Sequence, residues 1–331
     1  MAVGKCVLKS AMLQLRNDAK GPSNVPGGNG KALYVPPFAR GFSMPEPGAL
    51  VPDFVKRNKI VRDLHGLPAA LARAGSLEVR LAVTKKDIRR AQKLRWRVFF
   101  EQGAATAGVM SQLRRRDVCP FDRYCDHMIV VDKAAVTRFG RNKPRVVGAY
   151  RLLRQDVAER HGGFYSAGEF DIAPLLQRHP DKSFLELGRS CVDPAYRSRK
   201  ALELLWRGIL IYMRHHEIDV LMGCASFEGP DPGVHREALA LLSANHAARG
   251  DWRVEPQMHC AANVEMPGGY DSRRAMEALP PLIKGYLRLG AMFGNGVAID
   301  PGFGTTDVFV VLPVERIGQR YFNYFTTSAS N

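Results

Sequence analysis

The sequence predicts an α/β (α+β) fold in which a mixed sheet is built around a central β-α-β unit. Residues 184–227, "FLELGRSCVDPAYRSRKALELLWRGILIYMRHHEIDVLMGCASF", contain an apolar strand at 184–192, a helix at about 200–216 and a second strand at 220–227. A helical crossover of this length joins strands that lie parallel. Strand patterns on both sides of this unit supply the rest of the sheet.

Further segments also read as strands, and in "LEVRLAVT" (77–84) apolar and polar residues alternate. It precedes a segment with helical spacing of apolar residues, 85–103. "DHMIVVD" (126–132) and "RVVGAYRLL" (145–153) are joined by a basic turn and predict an antiparallel pair. "DVFVVLPV" (307–314) is expected to complete the sheet. Two more helical segments are predicted at residues 236–246 and 279–290.

The N-terminal part of the chain differs in composition from the rest. Pro and Gly recur through residues 21–52 too often for a helix or a paired strand. We therefore expect residues 1–75 to be an irregular or disordered lead and residues 76–325 to be one domain with a C-terminal helical insertion and a final strand. Residues 1–15 lack the apolar region of a signal peptide, and Arg or Lys interrupts the longest apolar runs, so no membrane span is predicted.

Composition bounds the class of protein and its partners. The chain has 331 residues, of which 46% are hydrophobic, and this excludes a disordered protein. Its 48 Lys and Arg against 32 Asp and Glu give a formal charge of +16, which predicts an acidic or phosphorylated partner. The six cysteines contain no C-x-x-C pair, so neither a metal site nor a redox pair is expected, and a cytoplasmic location fits.

A basic turn lies between the first strand and the helix of the β-α-β unit. Val192-Asp-Pro194 is followed by Arg197, Ser198, Arg199 and Lys200, and the predicted helix begins directly afterwards. The free N–H groups and the dipole at a helix N-terminus attract anions, and basic side chains reinforce that attraction. The turn therefore predicts a site for a phosphate.

This order of elements and this turn resemble the GCN5-related N-acyltransferase superfamily. The resemblance implies a mixed, mostly antiparallel central sheet flanked by helices, with a strand and the next helix N-terminus holding the pantetheine and phosphate arm of an acyl thioester.

The basic turn departs from the family's phosphate-binding motif. "RSRKA" stands where the family has R-x-x-G-x-A, and without glycines the loop closes less tightly around a pyrophosphate. We therefore expect acyl carrier protein, which is acidic and presents one phosphate, to be the donor rather than coenzyme A. No cofactor beyond its acyl-phosphopantetheine is expected. The implied donor-binding residues are Cys191, Val192, Arg197, Ser198, Arg199 and Lys200.

A second set of motifs resembles a series shared by acyl-homoserine lactone synthases and bacterial ornithine lipid N-acyltransferases. These motifs are "RWRVFF" (Arg95, Phe99), "FDRYCDH" (Asp122, Asp126), "GAYRLL" (Arg151) and "ELGRSCV" (Glu186, Arg189). "FEGPDP", "PPLIKGYLRLGA" and "GFGTTDVFVV" resemble the ornithine branch, and autoinducer synthases are typically shorter. The resemblance implies transfer of a (3-hydroxy)fatty acyl group from acyl carrier protein to the α-amine of ornithine, giving lyso-ornithine lipid. An acyl-homoserine lactone-type synthase and an N-acyltransferase for another amino acid remain alternatives.

The chemistry of such a transfer assigns roles to these residue types. An α-ammonium must lose a proton before it attacks a thioester, so a carboxylate is expected as the base: Glu186 first, with Asp126 and Asp122 as further candidates. Arginine matches the carboxylate of the acceptor in two places. The resemblance implies an acceptor site formed by Arg95, Phe99, Arg151 and Arg189, and a main-chain N–H near Cys191 or Val192 for the oxyanion.

Each of these residues also has a structural interpretation. The alternative for Glu186 and Arg189 is a structural ion pair that tethers the strand to the first helix, and for Asp122 and Asp126 it is a local capping role. Cys191 on an apolar strand is typical of a small buried side chain, so covalent catalysis is rejected.

The net charge leaves two further classes of partner to consider. A nucleic-acid-binding protein would show aromatic residues among its basic ones or a helix-turn-helix, and neither is present, so no nucleic acid is expected. Basic amphipathic segments such as "LIKGYLRLGAMFG" favour an anionic membrane surface instead. We expect a cytoplasmic protein bound peripherally to the inner face of the cytoplasmic membrane.

Overall fold

One large sheet forms the frame of the protein in the computed structural model, which describes residues 63–136, 140–197 and 199–318. Across the described sheet, neighbouring strands are antiparallel except for the fifth and sixth, which are parallel. The predicted mixed, mostly antiparallel fold is therefore confirmed. The strands are β1 (Ala72–Ala74), β2 (Leu77–Leu81), β3 (Asp126–Asp132), β4 (Arg145–Arg154), β5 (Phe184–Val192), β6 (Val220–Glu228), β7 (Ala261–Ala262), β8 (Met292–Phe293), β9 (Val297–Asp300) and β10 (Thr305–Pro313). Their order is β1-β2-β3-β4-β5-β6-β10-β9-β7, and β8 pairs with β10.

Helices cover both faces of the sheet. They are α1 (Lys85–Trp96), α2 (Val109–Arg114), α3 (Gln155–Arg160), α4 (Ala173–Arg178), α5 (Arg199–His215), α6 (Arg236–His246), α7 (Ser272–Ala278) and α8 (Pro281–Leu289). The largest core lies on one face and includes apolar side chains of α5, α6 and α8. The opposite face is covered by α1 and by the segment that contains α3 and α4. Among the described residues, no helix has both the length and the apolar character needed to cross a membrane.

The predicted β-α-β unit is present with its two strands parallel. β5 pairs with β6 in the register Phe184↔Val220, Leu185↔Leu221 and Glu186↔Met222, and α5 connects them. The predicted antiparallel pair is β3 and β4, and the predicted late strand is β10, which pairs with β6 along its whole length. Short apolar runs bounded by polar or turn residues are a local signal, which is why the sequence located these strands well.

Ordered packing begins before the predicted domain start at residue 76. Leu67 and Leu71 are buried in the core under α5, and β1 pairs with β2 in an antiparallel ladder. Strand β1 has only three residues, too few for its alternation to be recognised in the sequence. The rest of the predicted lead, residues 1–62, lies outside the described residues, as do residues 319–325 of the predicted domain.

Helix α1 begins where the sequence predicts but changes pitch before the predicted end at residue 103. The side chain of Thr84 accepts a hydrogen bond from the N–H of Asp87 at 3.1 Å and caps the first turn. After Trp96 the chain continues as a π-helical turn, Arg97–Glu101. Such turns occur frequently at functional sites, and this one carries Phe99.

Strands β5 and β6 separate after three residue pairs, and the opening lies in the middle of the sheet. From Leu187 onward β5 pairs with β4 alone, while β6 is held by β10. At the point of separation a Cβ on Gly223 would lie 2.4 Å from the carbonyl oxygen of Leu187, so only glycine fits there. The two central strands therefore open like a V.

A β-bulge on β5 lies beside this opening. The β4–β5 register passes from Ala149↔Cys191 to Arg151↔Gly188, so β5 contains one more residue than β4 in this interval. Arg189 lies within the bulge in the left-handed region, with φ of 53°. Bulges of this kind redirect side chains and are common next to active sites. In a regular strand Glu186 and Arg189 would point to opposite faces, because their spacing is odd.

Candidate active site

The opening between β5 and β6 contains a cavity of about 270 Å³ that reaches both faces of the sheet. Leu187, Ala225 and Tyr286 line it and belong to the core under α5. Tyr165 and Cys224 also line it and pack against the core on the opposite face. One end of the cavity is therefore apolar, whereas the other end receives charged side chains from several strands.

Four of the predicted site residues line this cavity: Phe99, Arg151, Glu186 and Arg189. The bulge explains why two of them meet there despite their odd spacing on β5. Within the described residues, however, Glu186 and Arg189 do not form the ion pair that the sequence offered as an alternative, because Glu186 has main-chain partners and Arg189 has other neighbours.

Glu186 is 3% exposed, and both of its carboxylate oxygens accept hydrogen bonds from the main chain. The N–H of Tyr165 donates to Oε2 at 2.9 Å, and the N–H of Ser166 donates to Oε1 at 2.6 Å. These donors belong to the start of a 3-10 turn, Tyr165–Gly168. Since each carboxylate oxygen has a second lone pair, the group retains capacity for a further donor from the cavity.

Arg189 lies between two aromatic rings at the charged end of the cavity. Its guanidinium carbon is 4.0 Å from the centre of the Phe303 ring and 5.0 Å from that of Tyr165. Its Nε lies 3.7 Å from a carboxylate oxygen of Asp117 and has no hydrogen-bond partner within the described residues. Ring faces stabilise a guanidinium while leaving its N–H donors available to a ligand.

Arg151 extends from β4 toward the same end of the cavity. Its guanidinium carbon lies 5.3 Å from the centre of the Phe121 ring and 5.2 Å from that of Tyr165. One nitrogen, Nη1, is 3.9 Å from Asp122, and this nitrogen is buried without a hydrogen-bond partner among the described residues. Arg151, which is buried, and Arg189, whose side chain is 13% exposed, thus give this end of the cavity two positive charges.

Arg95 and Asp122 form a buried ion pair that does not line the cavity. Arg95 is 1% exposed and donates to both oxygens of Asp122, at 3.0 and 2.7 Å, while its Nε lies 2.8 Å from Asp117. Asp122 also accepts from the side chain of Gln92 and, as a local cap, from the N–H of Cys119. Burial opposes ionisation of Asp122, but Arg95 outweighs it and holds the pKa of this carboxyl well below its usual range.

Asp126 also lies outside the cavity lining. The hydroxyl of Tyr212 on α5 donates to its Oδ2 at 2.6 Å. Met128, two residues further along β3, belongs to the core under α5, so Asp126 is on the α5 face of the sheet. The catalytic roles of Asp122 and Asp126 remain predictions, and the structure assigns each of them a bonded partner.

The predicted donor-binding residues lie at the end of β5 and the start of α5. Asp193 pairs with Arg97 at 3.0 Å and with Arg145, and it caps the turn by accepting from the N–H of Ala195. Arg197 and Lys200 are exposed, whereas Ser198 lies outside the described residues. The turn itself is therefore held by Asp193, and basic side chains next to it face solvent.

The end of β5 is unpaired on one side. β5 ends at Val192, α5 starts at Arg199, and residues 188–192 have no ladder partner on the side of β6.

Cys191 is buried in the core under α1, away from the charged end of the cavity. Burial raises the pKa of its thiol to about 12. A thiol of this kind stays protonated at neutral pH and is a poor nucleophile.

An acidic cluster at the charged end of the cavity was not predicted from the sequence. Glu169, Asp307 and Cys224 each place one ligand atom within 4.8 Å of the others. Burial, followed by the charges of Asp307 and Asp300, raises the pKa of Glu169 well above its usual range. Burial and Asp300 likewise raise the pKa of Asp307 to about 6. The signal in the sequence was a single acid within an apolar strand, in "TTDVFVV".

Comparison with known proteins agrees with this architecture. Residues 94–207 match the model of the Acetyltransferase (GNAT) domain, and with the V-shaped opening of the central strands this defines the protein as a GNAT-type acyltransferase. It is 45% identical over 271 residues to L-ornithine N(alpha)-acyltransferase of Agrobacterium fabrum (81% of this chain, 90% of that protein). It is 46% identical over 276 residues to the Rhizobium meliloti protein of the same name, and the alignment covers 82% of this chain and 92% of that protein. The chain belongs to the L-ornithine N(alpha)-acyltransferase family.

Among solved structures, the chain aligns with FeeM, an N-acyl amino acid synthase from uncultured soil microbes. It aligns with a TM-score of 0.42 and 12% identity, over 72% of this chain and 91% of that chain.

Proposed function

We propose that this enzyme transfers a (3-hydroxy)fatty acyl group from acyl carrier protein to the α-amine of ornithine, giving lyso-ornithine lipid. The observation that carries the proposal is the cavity in the V-shaped opening, which has buried Glu186, buried Arg151 and partly buried Arg189 at one end and an apolar wall at the other. The names of the relatives support ornithine as the acceptor.

In this proposal Glu186 is the base and Arg189 holds the carboxylate of the acceptor, with Arg151 nearby. The α-ammonium of ornithine donates to Glu186, loses a proton to it, and attacks the thioester carbonyl carbon. The C–S bond then breaks, the nitrogen gives up its second proton, and phosphopantetheine leaves as the thiol that takes this proton. β5 has no ladder partner on the side of β6 beyond Glu186, and a main-chain N–H near Cys191 or Val192 is the proposed oxyanion donor.

The apolar end of the cavity suits the acyl chain. Leu187, Ala225, Leu282 and Tyr286 line it from the side of α8. A fatty chain placed there would leave water, and each buried methylene contributes about 0.8 kcal/mol to binding. The donor would then meet the acceptor at the opening, with opposite ends of the cavity reserved for the chain and for charged groups.

The direct test is incubation of the purified protein with acyl-carrier-protein thioesters and a panel of amino acids, with products identified by mass spectrometry. We expect ornithine acylated on its α-nitrogen. Formation of an acyl lactone, or acylation of another amino acid in preference to ornithine, would replace the proposal with one of the alternatives left open by the sequence.

We expect acyl carrier protein to be a better donor than coenzyme A, because the exposed Arg197 and Lys200 attract an acidic protein. Reversing both charges (Arg197→Glu, Lys200→Glu) should raise the KM for acyl carrier protein about 10-fold or more, and added salt should raise it in the unmodified enzyme. The matched control is Lys86→Glu, Arg89→Glu, which reverses two exposed charges on α1. Equal turnover with acyl coenzyme A at matched concentration would contradict this donor assignment.

We also place the enzyme at the inner face of the cytoplasmic membrane, bound peripherally. Its formal charge of +16 and the amphipathic helix α8 support this location. Purified protein should co-sediment with vesicles that contain anionic lipid, and less of it should do so as salt is raised. Equal sedimentation with neutral vesicles would show that charge does not direct the binding.

A further inference from the structure

The acidic cluster at the charged end of the cavity is not used by the reaction described above. Glu169 follows the 3-10 turn whose N–H groups hold Glu186, and Asp307 lies on β10, so the two acids approach from different elements. Glu169 is 9% exposed and Asp307 is 4% exposed. Neither forms an ion pair with Lys or Arg within the described part of the chain. Two buried acids without a cation are costly unless a proton or a ligand supplies the charge.

Unpartnered acceptors point from this cluster to a ligand. Oε2 of Glu169, Oδ1 of Asp307 and Oγ1 of Thr305 are buried and have no hydrogen-bond partner within the described residues. All three residues line the cavity. A primary ammonium has one positive charge and three N–H donors, which match three acceptors and the need for a cation.

Ser166 connects the cluster to Glu186. Its N–H donates to Oε1 of Glu186 at 2.6 Å, and its hydroxyl accepts from the thiol of Cys224 at 3.4 Å. Through Cys224 the cluster thus lies one residue, Ser166, away from the carboxylate that would receive the proton of the α-amine. Arg189 contributes the opposite charge to the same end of the cavity, so an acceptor with a carboxylate and a second amine would contact both.

We propose that Glu169 and Asp307 form an acidic subsite that binds the side-chain ammonium of a diamino acid acceptor, an inference that rests on the acyl transfer proposed above. The subsite selects acceptors with a second amine. It also directs the reaction to the α-nitrogen, since an ammonium held between two acids keeps its proton and has no lone pair with which to attack the thioester.

The test compares ornithine with norvaline, which has the same carbon chain without the side-chain amine. With the unmodified enzyme we expect kcat/KM for ornithine to exceed that for norvaline by roughly 10- to 100-fold, the range of one or two charged hydrogen bonds. Asp307→Asn and Glu169→Gln should each remove most of this preference by raising the KM for ornithine, while kcat/KM for norvaline stays the same. Glu277→Gln, an exposed change on α7, is the control and should leave both acceptors unaffected.

Three outcomes would overturn the subsite. One is equal use of ornithine and norvaline by the unmodified enzyme, which refutes the subsite while N-acylation itself stands. Another is loss of activity toward both acceptors in equal proportion in folded Asp307→Asn, checked by melting temperature. The third is loss of ornithine acylation on chelation with recovery on adding a divalent metal, because Glu169, Asp307 and Cys224 would then be metal ligands. Acylation of neither acceptor would instead refute the proposed function.

Discussion

Glu186→Gln is expected to lower kcat by roughly 10²–10⁴-fold with little change in the KM of the donor. Glutamine keeps the shape of the side chain but cannot take the proton of the α-ammonium. The structure adds a second consequence, because both oxygens of Glu186 accept main-chain N–H groups and the new amide nitrogen would face one of these donors. That lost hydrogen bond should cost about 1–3 kcal/mol of stability.

The measurement is kcat and both KM values, together with melting temperature. Glu78→Gln is the matched control. Glu78 lies on β2, is also buried, and accepts a hydrogen bond from Arg73 of β1 at 2.9 Å, but it does not line the cavity. This change should lower melting temperature and leave kcat unchanged. A Glu186→Gln enzyme that is less stable yet fully active would assign Glu186 a structural role and require another base.

Arg189→Lys separates recognition of the acceptor from proton transfer. Lysine keeps the charge but cannot grip a carboxylate in two places or lie flat on the Phe303 ring. We expect the KM for ornithine to rise about 10-fold or more while the KM for the donor stays constant. An unchanged KM for ornithine would show that Arg189 does not hold its carboxylate.

Arg95→Met is expected to lower the free energy of unfolding by about 3–5 kcal/mol, because it removes the nearest cation of buried Asp122 and Asp117 and leaves only the longer contacts of Arg151 and Arg189. The double variant Arg95→Met, Asp122→Asn should recover part of this loss, since one of the two weakly compensated charges is removed. Urea unfolding of the variants measures both values.

An exposed ion pair provides the control for this experiment. Arg273→Met breaks the pair of Arg273 with Glu277 on α7 and should change stability by less than about 1 kcal/mol. Equal stability of Arg95→Met and the unmodified protein would show that the buried pair does not anchor α1 to the turn before β3.

The sequence was informative wherever the signal was local. The apolar run in "DHMIVVD" located β3, and the strand-helix-strand pattern of residues 184–227 predicted two parallel strands. Both signals come from residues that are neighbours in the chain. The same reasoning predicted a continuous helix after residue 96, where the chain instead forms a π-helical turn.

Contacts between distant segments could not be predicted from the sequence in the same way. Asp122 and Asp126 read alike in "FDRYCDH", but one is bound by Arg95, 27 residues away, and the other by Tyr212, 86 residues away. Glu169 follows a 3-10 turn and Asp307 lies on β10, and only the fold brings the two acids together. No motif in either segment indicates this proximity.

The sequence by itself determined the fold class, the parallel pair at its centre and the polar residues from which a site is drawn. The tertiary structure alone decided which of these residues meet. A bulge brings Arg189 to the same cavity as Glu186, although residues with an odd spacing point to opposite faces of a regular strand. The separation of β5 from β6 at Gly223 opens that cavity. The reason is physical: side-chain periodicity depends on adjacent residues, whereas a bulge and an open ladder depend on how whole strands pair and pack.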